Sequence, residues 1–141
     1  MAQGTAPVVL SAMLDTSVYV GALNSRGFGA RIFNLAQTGA IRIDISDAIL
    51  SETIRVLREK FGWDGYRLHD AMHKLAGITN RVKPTQALDV VKEDPPDNRI
   101  LECAVEAGSE YIVTWDKDLL RLGEYDGIPV IVPADSLQLT Q

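Results

Sequence analysis

"VVLSAMLDTSVYVGAL" (Val8–Leu23) opens with an apolar run, stops on Asp15, passes two hydroxyl residues, Thr16 and Ser17, and turns apolar again at once. Val8–Leu14 reads as a buried strand and Val18–Leu23 as a short helix. A buried strand that ends on a carboxylate has two explanations. Asp, Thr and Ser all cap helices, or the acid holds a cation. The rest of the chain decides how much weight each carries.

Outward from that stretch, strands and helices alternate. "RGFG" (Arg26–Gly29) is a turn, Ala30–Gln37 a helix, and Thr38–Gly39 its stop signal. "IRIDIS" (Ile41–Ser46) alternates apolar and polar residues as a strand does. Ser46 suits the N-cap of a helix running to about Lys60, "FGWDG" breaks that helix, and Asp64 suits the cap of another over Tyr66–Ala76. "RVKP" (Arg81–Pro84) is a weak third strand. "EDPPD" (Glu93–Asp97) opens a helix that ends near Ala107–Gly108. "EYIVT" (Glu110–Thr114) and "IPVIV" (Ile128–Val132) are further strands, flanking a short helix over Asp116–Gly123. This alternation predicts an α/β fold of three layers, α/β/α, around a mostly parallel sheet of four to five strands. Ligands of such a sheet sit beyond the carboxyl ends of its strands.

The totals set limits. At 141 residues the chain is expected to form a single domain, with its core over about residues 8–133. Its one cysteine, Cys103, excludes an internal disulfide. No signal peptide and no run approaching a membrane span is visible, so a soluble, cytoplasmic protein is expected, with no membrane partner. The net charge of −5 argues mildly against a general nucleic-acid binder. It does not exclude a nuclease whose acids gather around a metal.

Four acids stand out by position. Asp15 lies past the first strand and Asp116 two residues past the fourth, after Thr114 closes it. Glu52 borders the apolar stripe Ile49, Leu50, Ile54, Val56 and Leu57. Asp97 falls on the apolar face of its own helix, three residues before Ile100 and four before Leu101, while Glu102 and Glu106 are expected to point away. An acid on a core-facing stripe is costly unless paired or bound to a cation. The competing view makes Asp94 the cap, Pro95 the first helical residue and Asp97 a first-turn acid favoured by the helix dipole. In a doubly wound sheet all four acids lie toward the carboxyl edge. Clustered carboxylates repel, and a hard divalent cation such as Mg²⁺ or Mn²⁺ relieves that repulsion. His69 and His73, four apart, lack a zinc-binding pattern around them and read as surface or packing residues.

"MLDTSVYVGAL", "SDAILSETIRVL" and "DPPDNRILECAVEAGSEYIVTWDKDLL", in this order, resemble the PIN-domain family, in particular the toxin-like subfamily of prokaryotic toxin–antitoxin pairs. The resemblance covers about Val9–Val132. It implies a metal-dependent endoribonuclease that hydrolyses RNA phosphodiester bonds with one or two Mg²⁺ or Mn²⁺ ions. It implies Asp15, Glu52, Asp97 and Asp116 as the catalytic, metal-holding acids. Thr114, Thr16 and Ser17 follow as supporting hydroxyls, although family sequences commonly carry Asn where Ser17 stands, and Asp118 as a further acid. Lys117, Arg26 and Arg99 are candidate contacts to substrate phosphate. A small antitoxin and a homodimer or higher homo-oligomer are the implied protein partners, with core packing the preferred alternative for the apolar residues Phe61, Trp63, Tyr66, Leu68, Met72 and Leu75.

Other readings fit less well. A haloacid-dehalogenase-like phosphatase needs a second Asp where Ser17 stands. A receiver domain needs an acid pair that "VVLSAML" lacks. A dinucleotide fold needs a glycine pattern that "GFGARI" does not complete. The alternative of a different class is a non-catalytic PIN-like module that binds RNA or protein.

Overall fold

The computed structural model describes residues 10–24 and 27–139, apart from the side chain of Phe28. Val8 and Val9 of the expected first strand therefore lie outside the described residues. The elements run β1 (Leu10–Leu14), α1 (Thr16–Asn24), α2 (Phe28–Gln37), β2 (Ile41–Ser46), α3 (Asp47–Phe61), α4 (Gly65–Ile78), β3 (Thr79–Val82), α5 (Asp97–Ala107), β4 (Tyr111–Val113), α6 (Lys117–Leu122), β5 (Glu124–Tyr125), β6 (Ile128–Ile131) and α7 (Pro133–Leu139).

Among the described residues the sheet has six strands in the order β3-β2-β1-β4-β6-β5, rather than four to five. Every pairing is parallel except the short β5–β6 ladder. The chain winds one way from β1 through β2 to β3, then returns to β4 on the other side of β1. The junction of β1 and β4 is thus the switch point where such sheets open a crevice at their carboxyl edge. Along β1 and β4 consecutive side chains, which face opposite ways, are nearly all buried. Helices therefore cover both faces, and the three-layer expectation holds.

Local signals placed α3 and α4. The Ser46 hydroxyl accepts from Ile49 N at 3.3 Å, and the Asp64 carboxylate accepts from Arg67 N at 2.9 Å. Gly62 ends α3 at a φ of 66°, which glycine adopts without penalty. "RGFG" is only partly a turn, because α2 begins at Phe28. Gly29 is needed there for a close crossing: a Cβ on it would come within 2.9 Å of the Ala22 Cβ on α1.

Three local expectations need correction. β3 lies two residues earlier than "RVKP", because α4 runs to Ile78 and Thr79 pairs at once with Ile43. Asp94 does not cap α5; Pro96 occupies the cap position with no side-chain bond, and Asp97 is the first helical residue. Glu102 does not point away from the core. It is buried, because the segment before α5 folds back and Leu88 N donates to its carboxylate at 2.7 Å, with Arg99 at 2.8 Å.

One continuous core joins β1, β2, β4, α5 and α7, and a smaller one gathers Val20, Leu57, Trp63 and Ala71. Trp63 and Leu75 are core residues, as the packing alternative expected. Phe61, Tyr66 and Met72 are exposed. His69 and His73 are exposed on α4. No helix among the described residues is long and apolar enough to cross a membrane.

Candidate metal centre

At the carboxyl end of β1, the Asp15 carbonyl starts α1 by accepting from Val18 N at 2.9 Å. The Asp15 carboxylate has another task. Its Oδ2 accepts from the Thr114 hydroxyl at 2.7 Å and from the Ser17 hydroxyl at 3.1 Å. Asp15 is 6% exposed, and burial raises its pKa against the lowering effect of those hydroxyls. Ser17 thus makes the short-range contact that its hydroxyl allows. Thr16 lines the same cavity, next to Asp15.

Thr114 works in two directions. It donates to Asp15 and accepts from Asp116 N at 2.8 Å, so one fully buried hydroxyl ties the ends of β1 and β4 together. Asp116 is a true N-cap: its Oδ1 accepts from Asp118 N at 2.8 Å and Leu119 N at 3.1 Å. Its carboxyl also meets that of Asp97. Asp116 therefore caps α6 and faces Asp97 at the same time.

Asp97 enters from the first turn of α5. It is 6% exposed, and its Oδ2 is buried with no hydrogen-bond partner among the described residues. Burial first, then the charges of Asp116, Asp94 and Asp15, push its pKa up to about 8. A carboxylate oxygen without a partner in this setting is an unusual expense for a fold. Oxygens of Asp94, Asp97, Asp116 and Asp118 all lie within 4.8 Å of one another. Such a set of hard oxygen donors fits Mg²⁺ or Mn²⁺, and it offers no soft ligand.

Glu52 stands apart from this cluster. Arg55, one turn on, grips both of its oxygens, Nε to Oε2 at 3.1 Å and Nη2 to Oε1 at 2.5 Å, while reaching Glu59 at 2.6 Å. The guanidinium holds the Glu52 carboxyl below its usual range. Glu52 nevertheless lines the same cavity of about 750 Å³ as Asp15, Asp97 and Asp116. The structure brings all four expected acids to one cavity and draws two of them, Asp97 and Asp116, into the tight cluster.

The expected phosphate contacts divide. Arg99 lines the cavity, although its guanidinium is anchored to Glu102 and the Leu88 carbonyl. Lys117 is exposed and is not among the cavity-lining residues. Arg26 lies outside the described residues. Sequence reasoning missed Arg55, Lys60 and Phe61, which line the wall formed by α3, and Asp94. The α3 residues carried no signal beyond helical spacing from Glu52. The signal for Asp94 was the pair of acids in "DPPD", read there as cap and first turn.

A family profile described as "PIN domain" matches residues 11–118. Among solved structures, VapBC2 from Rickettsia felis bound to a DNA fragment from its promoter is similar, with a TM-score of 0.62 and 14% identity over 86% of this chain and 97% of that one. VapC20 of Mycobacterium tuberculosis, described as a Sarcin-Ricin loop cleaving toxin, has a TM-score of 0.55 and 16% identity over 84% of this chain and 98% of that one. At these identities the likeness is one of fold. No curated protein matches in sequence.

Proposed function

Because the chain belongs to the PIN-domain family, we propose that it is a metal-dependent endoribonuclease of the toxin type, hydrolysing RNA phosphodiester bonds. The observation that carries this reading is the buried, unpartnered Oδ2 of Asp97, set among carboxylates at the switch point of the sheet. Asp15, Glu52, Asp97 and Asp116 are the proposed catalytic acids. The proposed cofactor is one or two Mg²⁺ or Mn²⁺ ions. A divalent cation in this site supplies positive charge to the phosphate and a more acidic water near neutral pH.

The chain's own residues do the rest. Thr114 and Ser17 orient the Asp15 carboxylate through their hydroxyls. Asp116 is held by the α6 amides it caps, which fixes its approach to Asp97. Lys60 on the cavity wall is placed to meet a backbone phosphate flanking the cut, whereas the guanidinium groups of Arg55 and Arg99 on that wall are already held by Glu52, Glu59 and Glu102. Exposed Phe61 on that wall offers a face on which an unpaired base stacks.

The RNA substrate and an antitoxin partner are carried over from the fold neighbours described as VapBC2 and as a loop-cleaving toxin. Tyr66 and Met72, both exposed apolar side chains on α4, support a homo-oligomer contact. One main core supports the reading of residues 1–141 as a single PIN-like domain with its core over about 8–133, and a cytoplasmic location accords with an RNA substrate.

One observation favours the second reading, a non-catalytic binding module: both oxygens of Glu52 are engaged by Arg55. A cleavage assay separates the two. With Mn²⁺ the wild type cuts single-stranded RNA, and Asp97→Asn or a chelator abolishes cutting. RNA binding without any cutting decides for the module, and cutting that survives in Asp97→Asn removes this active site.

A further inference from the structure

Asp94 lies outside the four acids so far assigned, yet its carboxylate falls in the tight cluster while those of Asp15 and Glu52 do not. The backbone around it is built to hold it there. Pro95 and Pro96 fix two consecutive φ angles between Asp94 and Asp97. The Asp94 carbonyl accepts from Asp97 N at 3.0 Å, closing the turn.

Upstream, the segment is clamped by Asn98, which is 1% exposed. Its Oδ1 accepts from Val90 N and Val91 N, both at 2.8 Å. Its Nδ2 donates to the Val91 carbonyl at 3.1 Å and the Pro95 carbonyl at 2.9 Å. The Asn98 amide thus bonds backbone on both sides of Asp94. Such rigidity brings one carboxylate against three others, which raises the energy of the cluster unless something positive completes it. The buried Asp97 Oδ2, without a partner, faces the same need.

Resting on the metal-dependent reading above, we infer that Asp94 is a direct ligand of the divalent cation, together with Asp97, Asp116 and Asp118. The cation position is then centred between the turn at 94–97 and the start of α6. Asp15 borders that position from the strand end, and Asn98 is a positioning residue for Asp94. Asp118 contributes the oxygen that Arg121 leaves free, since Arg121 contacts Oδ1 at 3.1 Å. Asp94 itself is only half-buried, and burial with the charges of Asp116, Asp118 and Glu52 raises its pKa.

The test is Mn²⁺ binding to the full chain without RNA, followed by calorimetry and by the electron paramagnetic resonance of free Mn²⁺. The variants are Asp94→Asn and Asp118→Asn, with Asp89→Asn as a control for charge on the same segment, since Asp89 is exposed and pairs with Lys92. Asp94→Asn and Asp118→Asn are expected to weaken Mn²⁺ roughly tenfold or more, and Asp89→Asn to leave it unchanged. In chelator, Asp94→Asn is expected to melt no lower than wild type, because it removes a repelling charge. Should it not fold, Asp94→Glu is scored on the same titration, where a displaced carboxylate also weakens binding. Wild-type Mn²⁺ affinity in a folded Asp94 variant overturns this inference alone and leaves the nuclease reading standing. A wild type that binds no Mn²⁺ overturns both.

Discussion

The Thr114 hydroxyl donates to Asp15 Oδ2 at 2.7 Å across the junction of β4 and β1, and both residues are buried. The Thr114 hydroxyl oxygen in turn accepts from Asp116 N at 2.8 Å. A hydroxyl is the smallest group that satisfies both neighbours here. Thr114→Val keeps the shape and removes both bonds, leaving a buried carboxylate oxygen short of a donor. The expected loss is about 1–3 kcal/mol of stability, read by urea unfolding, with a larger fall in cleavage. Thr114→Ser should recover most of both. A Thr114→Val protein as stable as wild type would show that the bridge carries no weight.

How the cluster responds to pH follows from Asp97. Its carboxyl sits at about 8 in the folded protein, against about 3.9 in an unfolded chain. Between those values the native state binds the extra proton, so stability falls as pH rises. The contribution is complete below about pH 4 and gone once pH passes about 8. In chelator, Tm should drop from pH 5 to pH 8. Asp97→Asn should flatten that slope and melt higher than wild type at pH 8. Parallel profiles for the two proteins would remove Asp97 as the source.

Much of this arrangement was visible in the chain itself. Asp15 and Asp116 could be placed because a strand end followed by a capping residue is a local pattern, and both elements formed where that pattern set them. Ser46 and Asp64 marked their helices by the same logic. Asp97 was legible because helical spacing alone put it on the apolar face. Distant partners were not legible. Glu102 looked solvated, since nothing local announces that Leu88 will return to meet it. Asp44 looked like the outward residue of an alternating strand, but helices cover both faces and it is fully buried. The two-residue β5 exists only through its pairing with β6.

Asp44 gives a prediction about stability separate from chemistry. Its Oδ1 accepts from Arg42 Nε at 2.8 Å and Asn80 Nδ2 at 3.0 Å, and its Oδ2 from the Ser109 hydroxyl at 2.7 Å. It thereby ties β2, β3 and the loop before β4. Asp44→Ala strands a buried Ser109 hydroxyl and should cost about 1–3 kcal/mol. Arg42 is half-exposed and adds little to that figure. Mn²⁺ affinity at a temperature where the variant is folded should match wild type. A shifted affinity would mean that this network reaches the site.

The wall of α3 gives the last prediction. Lys60 is exposed and lines the cavity, and among the described residues it makes no close salt bridge, its charge acting on Glu52 from a distance, unlike Arg55, which is held by Glu52 and Glu59. It lies eight residues along α3 from Glu52, or roughly 12 Å at the helical rise. That distance suits a phosphate beyond the one being cut. Removing such a contact weakens binding evenly across sequences and lowers the salt slope by about one. Lys60→Gln should therefore raise KM several-fold with kcat nearly unchanged, and its KM should depend less steeply on salt than that of wild type. Stability should move by less than about 0.5 kcal/mol, as for an ordinary surface substitution. A fall in kcat with KM and salt slope intact would place Lys60 in the chemistry of the cut instead of on the flanking strand.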